Sequence, residues 1–257
     1  MCLKKLLRLR GGVIGNNVRI SVITVSYNAE ACIEATIKSV LGQGFDNFEY
    51  IIIDGGSSDG TVDLIKSYKH LLKKVVIEHD DGIYHAMNKG VSYCNGDYVV
   101  FMNAGDTFFD STVLKNIAEN IRSTTSVLFG LTNYIYNKYS VIREPKRNFR
   151  MGMPFCHQSS VTKREILLKY PFEQSGSLYA DYKFYCDSFI RGDNFQELPI
   201  VISNYSCDGV SEKPTLKNAI DISNCIIPRF GRLNAFSLFM FLVVRIIYRY
   251  LVRKDVN

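Results

Sequence analysis

The first half of the chain switches repeatedly between two hydrophobic periods. Residues 19–26, RISVITVS, form a β-branched run that ends in the turn former Asn28. Ile33, Ile37, Val40 and Leu41 then recur at helical spacing. A second buried run, FEYIIID at 48–54, is followed by GGSSDG and by a helical face of Leu64, Ile65, Tyr68, Leu71 and Leu72. VVIE at 75–78 predicts a third strand and IYHAMNKGVSYC at 83–94 a helix. DYVVFMN at 97–103 predicts a fourth strand, and Val113, Leu114, Ile117 and Ile121 mark another helix. Parallel strands need crossovers, usually helical, so this rhythm predicts an α/β fold: a mostly parallel sheet with helices on its faces.

The second half is less regular. VLFGLTNYIYN and YSVIREP read as an antiparallel pair, and PFCHQSSV follows an Arg- and Met-rich loop. Helices are expected at 163–169, 181–191 and 212–227, and QELPIVISNYS is strand-like. The C-terminal stretch differs in character. Its longest uncharged run, Leu233–Val244, is twelve residues, well short of the roughly 20 that span a bilayer. Arg245, Arg249 and Arg253 lie four apart, which puts a basic stripe opposite apolar residues. The expectation is an amphipathic helix lying in a membrane surface; a helix packed on the protein's own core is the other reading.

Charge distribution points the same way. Residues 1–19 hold five basic residues and no acid, and residues 228–257 hold six against one, which leaves −4 between them from a total of +6. Basic ends interleaved with Leu, Ile, Phe and Val fit an anionic membrane surface rather than nucleic acid. The seven cysteines form no C-x-x-C pair, so reduced thiols in a cytosolic compartment are expected. MCLKKLLRLRGG lacks the apolar core and cleavage site of a signal peptide. The 257 residues suffice for one core with an appended tail.

Ligands gather at the carboxyl ends of parallel strands, and acids stand there in this chain: Asp54 after the second strand, Asp80 and Asp81 after the third, Asp106 after the fourth. Each alone also reads as a turn or helix cap. Together they point to one crevice. DGGSSDGT at 54–61 lacks the Lys-Ser/Thr of a P-loop, but a carboxylate at a strand tip can accept hydrogen bonds from a nucleotide's imide and ribose. In FMNAGDTF, Asn103 and Asp106 follow an abruptly ended strand, and Asp is a hard ligand for Mg²⁺ or Mn²⁺ bound jointly with substrate phosphates. His157 and Gln158 in FCHQSS, and Asp181 in LYADYKFYCD, are further candidates. A lone His is also an ordinary structural residue, and Asp181 an ordinary acid in the first turn of a helix.

VITVSYN, IIIDGGSSDGT, DGIYHAMNKG and GDYVVFMNAGD, in this order and spacing, resemble the family 2 glycosyltransferases with the GT-A fold. The likeness seen in the motifs covers roughly 19–211, including FCHQ, ADY and CDGVS, and is nearest to bacterial enzymes of lipopolysaccharide, capsule and colanic acid assembly. It divides the chain into a basic segment 1–18, a GT-A domain 19–227 and a C-terminal amphipathic helix 228–257. By resemblance, Thr24, Tyr27, Asn28 and Asp54 hold the base and ribose of a nucleotide-diphosphate sugar, and Asp80 lies near ribose and diphosphate. Asn88, Lys89 and Asn103 line the donor side, His157 and Gln158 the diphosphate or acceptor pocket. Asp106 is then the metal-binding carboxylate of a D-x-D-like motif reduced here to NAGD, and Asp181 the general base.

The resemblance implies an inverting transfer of a hexosyl or N-acetylhexosaminyl group to a hydroxyl of a polyprenyl-diphosphate-linked saccharide, with Mg²⁺ or Mn²⁺ as cofactor. The implied location is peripheral, on the cytoplasmic face of the inner membrane. A sugar nucleotidyltransferase would carry a Gly-rich, Arg-containing loop where this chain reads SYNAEA. A non-catalytic nucleotide-sugar-binding scaffold would have no need of both Asp106 and Asp181. Relatives often read D-K-G-I-Y-D-A-M-N where this chain carries Asp81 and His85, so its donor choice is expected to differ from theirs.

Overall fold

A computed structural model describes residues 18–146, 148–174, 179–207 and 215–254. All of the basic segment 1–18 except Val18, and most of CDGVS, therefore lie outside the described residues.

Strands β1 (Ile20–Ser26), β2 (Phe48–Asp54), β3 (Lys74–Ile77) and β4 (Tyr98–Phe101) are joined through helices α1 (Ile33–Leu41), α2 (Thr61–Ser67) and α3 (Ile83–Ser92). The remaining elements are β5 (Thr107–Phe108), α4 (Val113–Asn120), β6 (Val127–Tyr136), β7 (Tyr139–Arg143), β8 (Ser160–Lys163), α5 (Arg164–Lys169), α6 (Ala180–Arg191), β9 (Phe195–Ser206), α7 (Leu216–Phe230) and α8 (Arg232–Lys254). One sheet runs in the order β3-β2-β1-β4-β8-β6-β9-β5, with β7 paired to β6. β3, β2, β1 and β4 are mutually parallel, and β6 is parallel to β9. β8 joins the two parts as an antiparallel bridge between β4 and β6. The expected β6–β7 hairpin is present.

The alternation of the central strands sorts their side chains onto two cores. Ile20, Val22, Tyr50 and Ile52 pack with α1, α2 and α4. Ile23, Val25, Ile51 and Ile53 pack with α3, α6, α7 and α8. Both faces are covered, which is why β1 and β2 read as continuous apolar runs rather than alternating ones. Gly90 on α3 marks the closest approach of helix to sheet, since a Cβ there would fall 2.7 Å from Ile23.

The domain boundary expected at 228 falls inside α7, which runs on through Pro228 to Phe230. The break comes at Gly231, whose φ of +84° lies in the left-handed region. Arg229 clamps α7 to α6 with two 2.7 Å bonds to Asp187. The final helix packs on the core with one part of its surface only. Ala235 and Leu238 are buried in the core, whereas Leu233, Phe236, Met240, Phe241 and Val244 are exposed.

Candidate active site

The carboxyl ends of β1, β2 and β4 open onto one side of the sheet. Past β4 the chain stays attached to β1, with the Ala104 N–H donating to the Val25 carbonyl at 3.1 Å. It then turns at Gly105, φ +99°, a conformation a side chain would strain. Thr36 on α1 pins this turn: its hydroxyl donates to the Asp106 carbonyl at 2.8 Å and accepts from the Gly105 N–H at 3.0 Å. The Asp106 side chain is thereby aimed into a cleft of about 730 Å³.

Asn103, Asp106, His157, Gln158 and Asp181 all line this cleft, although they come from three separate stretches of chain. Asp106 is buried, accepts from the Ser206 N–H at 2.9 Å and is hydrogen-bonded by Gln158. Burial outweighs both bonds and pushes its carboxyl up to about 7. Asp181, in the first turn of α6, accepts at Oδ1 from the Tyr84 hydroxyl at 2.9 Å and from the Tyr182 N–H at 2.8 Å. Its Oδ2 faces His157 Nδ1 at 3.8 Å. Burial lowers the His157 pKa, against the pull of Asp181, so the ring is neutral at pH 7. His157 Nε2 and Asn103 Oδ1 are buried without a hydrogen-bond partner. In a native interior such atoms call for an explanation, and a ligand in the cleft supplies one.

Other expected residues sit elsewhere. Tyr27 is 66% exposed at the end of β1. Asn28, with φ +47°, accepts from the Ser58 N–H at 2.9 Å and ties β1 to the loop after β2. Asp80 caps the turn into α3, accepting from the Gly82 N–H at 2.9 Å. It also presses on the β2 loop, where a Cβ on Gly55 would lie 2.7 Å from Asp80 Oδ2 and 3.4 Å from the Tyr27 ring. Tyr27, Gly55 and Asp80 thus form one shelf.

Four of the expected residues do not line the cleft. Asp54 is fully buried, and its oxygens accept four bonds: from Gly56 N–H, Ser57 N–H, Ser26 Oγ and Ser57 Oγ. All its acceptor directions are used, so it shapes the loop, and a nucleotide would have to displace a serine to reach it. Thr24 shares the parity of Val22 and faces the other core, bonded to Tyr50 and the Met102 carbonyl. Asn88 grips the Phe172 backbone, and Lys89 pairs with Glu78 at 2.7 Å. Neither lines the cleft. Sequence reasoning missed Tyr84, Tyr134, Tyr179 and Tyr205, all in the cleft wall. The one available signal was Tyr84 at i−4 from Asn88, which puts both on one face of α3.

The fit of a divalent cation follows from these observations. Among the described residues no group of three or more His, Cys, Asp or Glu gathers for a metal. A buried carboxylate with no cationic partner, beside an unpartnered Asn103 Oδ1, nevertheless suits an ion that takes its other ligands from phosphates and water.

A sheet of this topology, with a small-residue turn bearing one acid at the end of β4, defines the GT-A class of glycosyltransferase folds. The chain belongs to glycosyl transferase family 2, whose model matches residues 21–190. It is 29% identical over 161 residues to a PGL/p-HBAD biosynthesis glycosyltransferase of Mycobacterium bovis, covering 61% of this chain and 59% of that protein. It thus spans about three fifths of that relative's length. It is 35% identical over 118 residues to the putative teichuronic acid biosynthesis glycosyltransferase TuaG of Bacillus subtilis, covering 45% of this chain and 46% of that one. The fold is shared with S. aureus TarS 1-349 in complex with UDP, with a TM-score of 0.63 at 16% identity, over 88% of this chain and 70% of that one. It is shared too with the mannosyltransferase PcManGT from Pyrobaculum calidifontis in complex with GDP-Man and Mn²⁺, with a TM-score of 0.68 at 17% identity, over 92% and 74% of the two chains.

Proposed function

We propose that the protein moves a sugar from a nucleotide-diphosphate sugar to a hydroxyl of a saccharide acceptor, with inversion, in the assembly of a bacterial surface polysaccharide. The observation that carries this reading is the pairing of Asp106 and Asp181 in one cleft. One is a candidate for the diphosphate end of the donor, the other for the acceptor. Proteins of the same fold solved with UDP, or with GDP-Man and Mn²⁺, support the donor class.

In this reading the shelf of Tyr27, Gly55 and Asp80 takes the nucleoside, and Asn103, His157 and Gln158 line the diphosphate and sugar. Asp106 and Asn103 Oδ1 would hold Mg²⁺ or Mn²⁺, whose positive charge stabilises a departing diphosphate. Inversion needs a single in-line displacement. The acceptor oxygen bonds to the anomeric carbon, its proton passes to Asp181, and the anomeric C–O bond breaks with its electron pair leaving on the nucleotide diphosphate. Neutral His157, with its Nδ1–H turned to Asp181, offers the Nε2 lone pair to a donor or acceptor group.

The acceptor in this reading is a polyprenyl-diphosphate-linked saccharide, met by a protein lying peripherally on the cytoplasmic face of the inner membrane through α8. The exposed apolar stripe of that helix supports it. No helix among the described residues is long and apolar enough to cross a membrane.

A donor screen tests the reading. Purified protein with Mn²⁺ or Mg²⁺ is offered UDP-, GDP- and dTDP-sugars, and thermal stabilisation and nucleotide release are followed. One nucleotide class should stabilise the protein and be turned over. Asp181→Asn should lower turnover by about 10²–10⁴-fold while donor stabilisation persists. Stabilisation by a donor without turnover in any condition would leave a binding scaffold.

A further inference from the structure

Tyr84 of helix α3 lines the cleft, and Asn88 stands one turn further along the same helix. Asn88 holds the Phe172 backbone with both ends of its amide, donating to the carbonyl at 2.8 Å and accepting from the N–H at 2.9 Å. The Phe172 ring lies 5.6 Å from the Tyr84 ring and 5.5 Å from the His157 ring, centroid to centroid. Phe101 packs on both Phe172 and His157, at 5.6 and 5.0 Å. The two side chains that face Asp181, Tyr84 and His157, are therefore set by one aromatic hub, which α3 clamps by its backbone.

The bonds at Asp181 are unevenly shared. Oδ1 accepts from both the Tyr84 hydroxyl and the Tyr182 N–H, whereas among the described residues Oδ2 has only His157 Nδ1 opposite it, at 3.8 Å. The Tyr84 hydroxyl is a durable donor, because burial and the nearby Asp181 charge hold its pKa well above the ordinary value. A carboxylate with one oxygen fixed by two donors is restricted in rotation and presents its other oxygen in one direction.

We propose that Tyr84 is a positioning residue for sugar transfer: with the Tyr182 amide it occupies Oδ1 of Asp181, so that Oδ2 alone receives the proton of the acceptor hydroxyl. Asn88 and Phe172 keep Tyr84 and His157 in register with that oxygen. The proposal rests on the reading of Asp181 as the general base. It gives Tyr84 and Asn88 of the IYHAMN stretch a role at the base, where sequence reasoning had put Asn88 at the donor.

Tyr84→Phe tests it, since the ring stays against Phe172 and only the hydroxyl is lost. The readout is nucleotide release from the sugar donor that the wild-type protein turns over, with Mn²⁺ present. The expected result is a fall in kcat of about 10- to 100-fold, with donor KM within about twofold and the melting temperature nearly unchanged. The decisive arm places Tyr84→Phe in an Asp181→Asn background. A residue that acts only through Asp181 should cost nothing further there. An unchanged kcat in the single variant, a rise in donor KM that accounts for the loss, or an equal further fall in the double variant would each overturn the proposal. The two readings fail distinguishably. A wild type that releases no nucleotide from any donor removes the base itself, whereas active wild type, inactive Asp181→Asn and unaffected Tyr84→Phe remove only the positioning role.

Discussion

Asp106 carries the largest electrostatic tension among the cleft acids. Its carboxyl, pushed to about 7 by burial, holds its proton more tightly in the folded chain than in the unfolded one. The folded state therefore binds more protons between the ordinary carboxylate range and pH 7, and stability falls as pH rises through that window. A shift of about three units bounds the contribution at roughly 4 kcal/mol. One outcome concerns the metal-free protein at pH 8, and a second its response to Mn²⁺. Asp106→Asn should melt several degrees higher than wild type, and that advantage should shrink toward pH 5. Mn²⁺ must displace the same proton, so its stabilisation of wild type should weaken as pH drops below 7 and be absent in Asp106→Asn. Thermal melts across pH, with and without Mn²⁺, check both; an Asp106→Asn protein that still responds to Mn²⁺ would move the ion elsewhere. The place of Asp106 in the cleft was legible from the NAGD turn that ends its strand, although an acid there also reads as a turn or helix cap. His157, Gln158 and Asp181 were legible only through order and spacing of motifs. Thr24, Asp54, Asn88 and Lys89 lie outside the cleft wall for a common reason. Sequence gives a position along an element, but the direction of a side chain depends on parity and on which donors crowd it. Asp54 meets four donors at once, and no motif states that.

Among the elements, α1 sets the geometry of the β4 turn without contributing a charged group to the cleft. Thr36 is fully buried on its inner face and serves both Gly105 N–H and the Asp106 carbonyl. Thr36→Val keeps the shape and leaves two buried backbone groups unpaired. Each such loss costs about 1–3 kcal/mol, so chemical denaturation should show a destabilisation of roughly 2–6 kcal/mol. Donor binding should weaken with it, because the Asp106 turn would relax. Full stability in Thr36→Val would mean that the turn holds itself. The parallel half of the sheet was legible element by element, because strands buried on both faces alternate with helices of regular period. In the other half the β6–β7 hairpin, α5, α6 and β9 were legible too, but β8, a four-residue antiparallel bridge, and β5, two residues, are too short to carry a period. Tyr134 and Tyr205 stand on strands that were expected, yet no pattern along those strands says that they face the cleft.

At the scale of the whole molecule, α8 has to be both a core element and a candidate membrane contact, and its two faces allow the roles to be separated. Ala235 and Leu238 complete the core that also holds Phe149, Phe155 and Tyr182. Leu233, Phe236, Met240 and Val244, spaced three to four residues apart, face outward and are 79%, 62%, 44% and 60% exposed. Removing the helix entirely would strip the core of Leu238, so loss of liposome binding in a shortened chain would not separate anchoring from unfolding. Substitution by face does. Leu238→Ser should destabilise the fold by about 2–5 kcal/mol through a cavity and a buried hydroxyl. Phe236→Ser, Met240→Gln and Val244→Ser together should leave the melt unchanged. Each fully buried apolar side chain of this size contributes about 1.5–3 kcal/mol, so even partial insertion predicts at least a tenfold loss of binding to anionic vesicles. Co-sedimentation with phosphatidylglycerol vesicles, beside thermal melts of each variant, reads both quantities. Unchanged vesicle binding in the triple variant would assign the exposed stripe to another partner and leave the basic ends of the chain to account for any attraction to lipid.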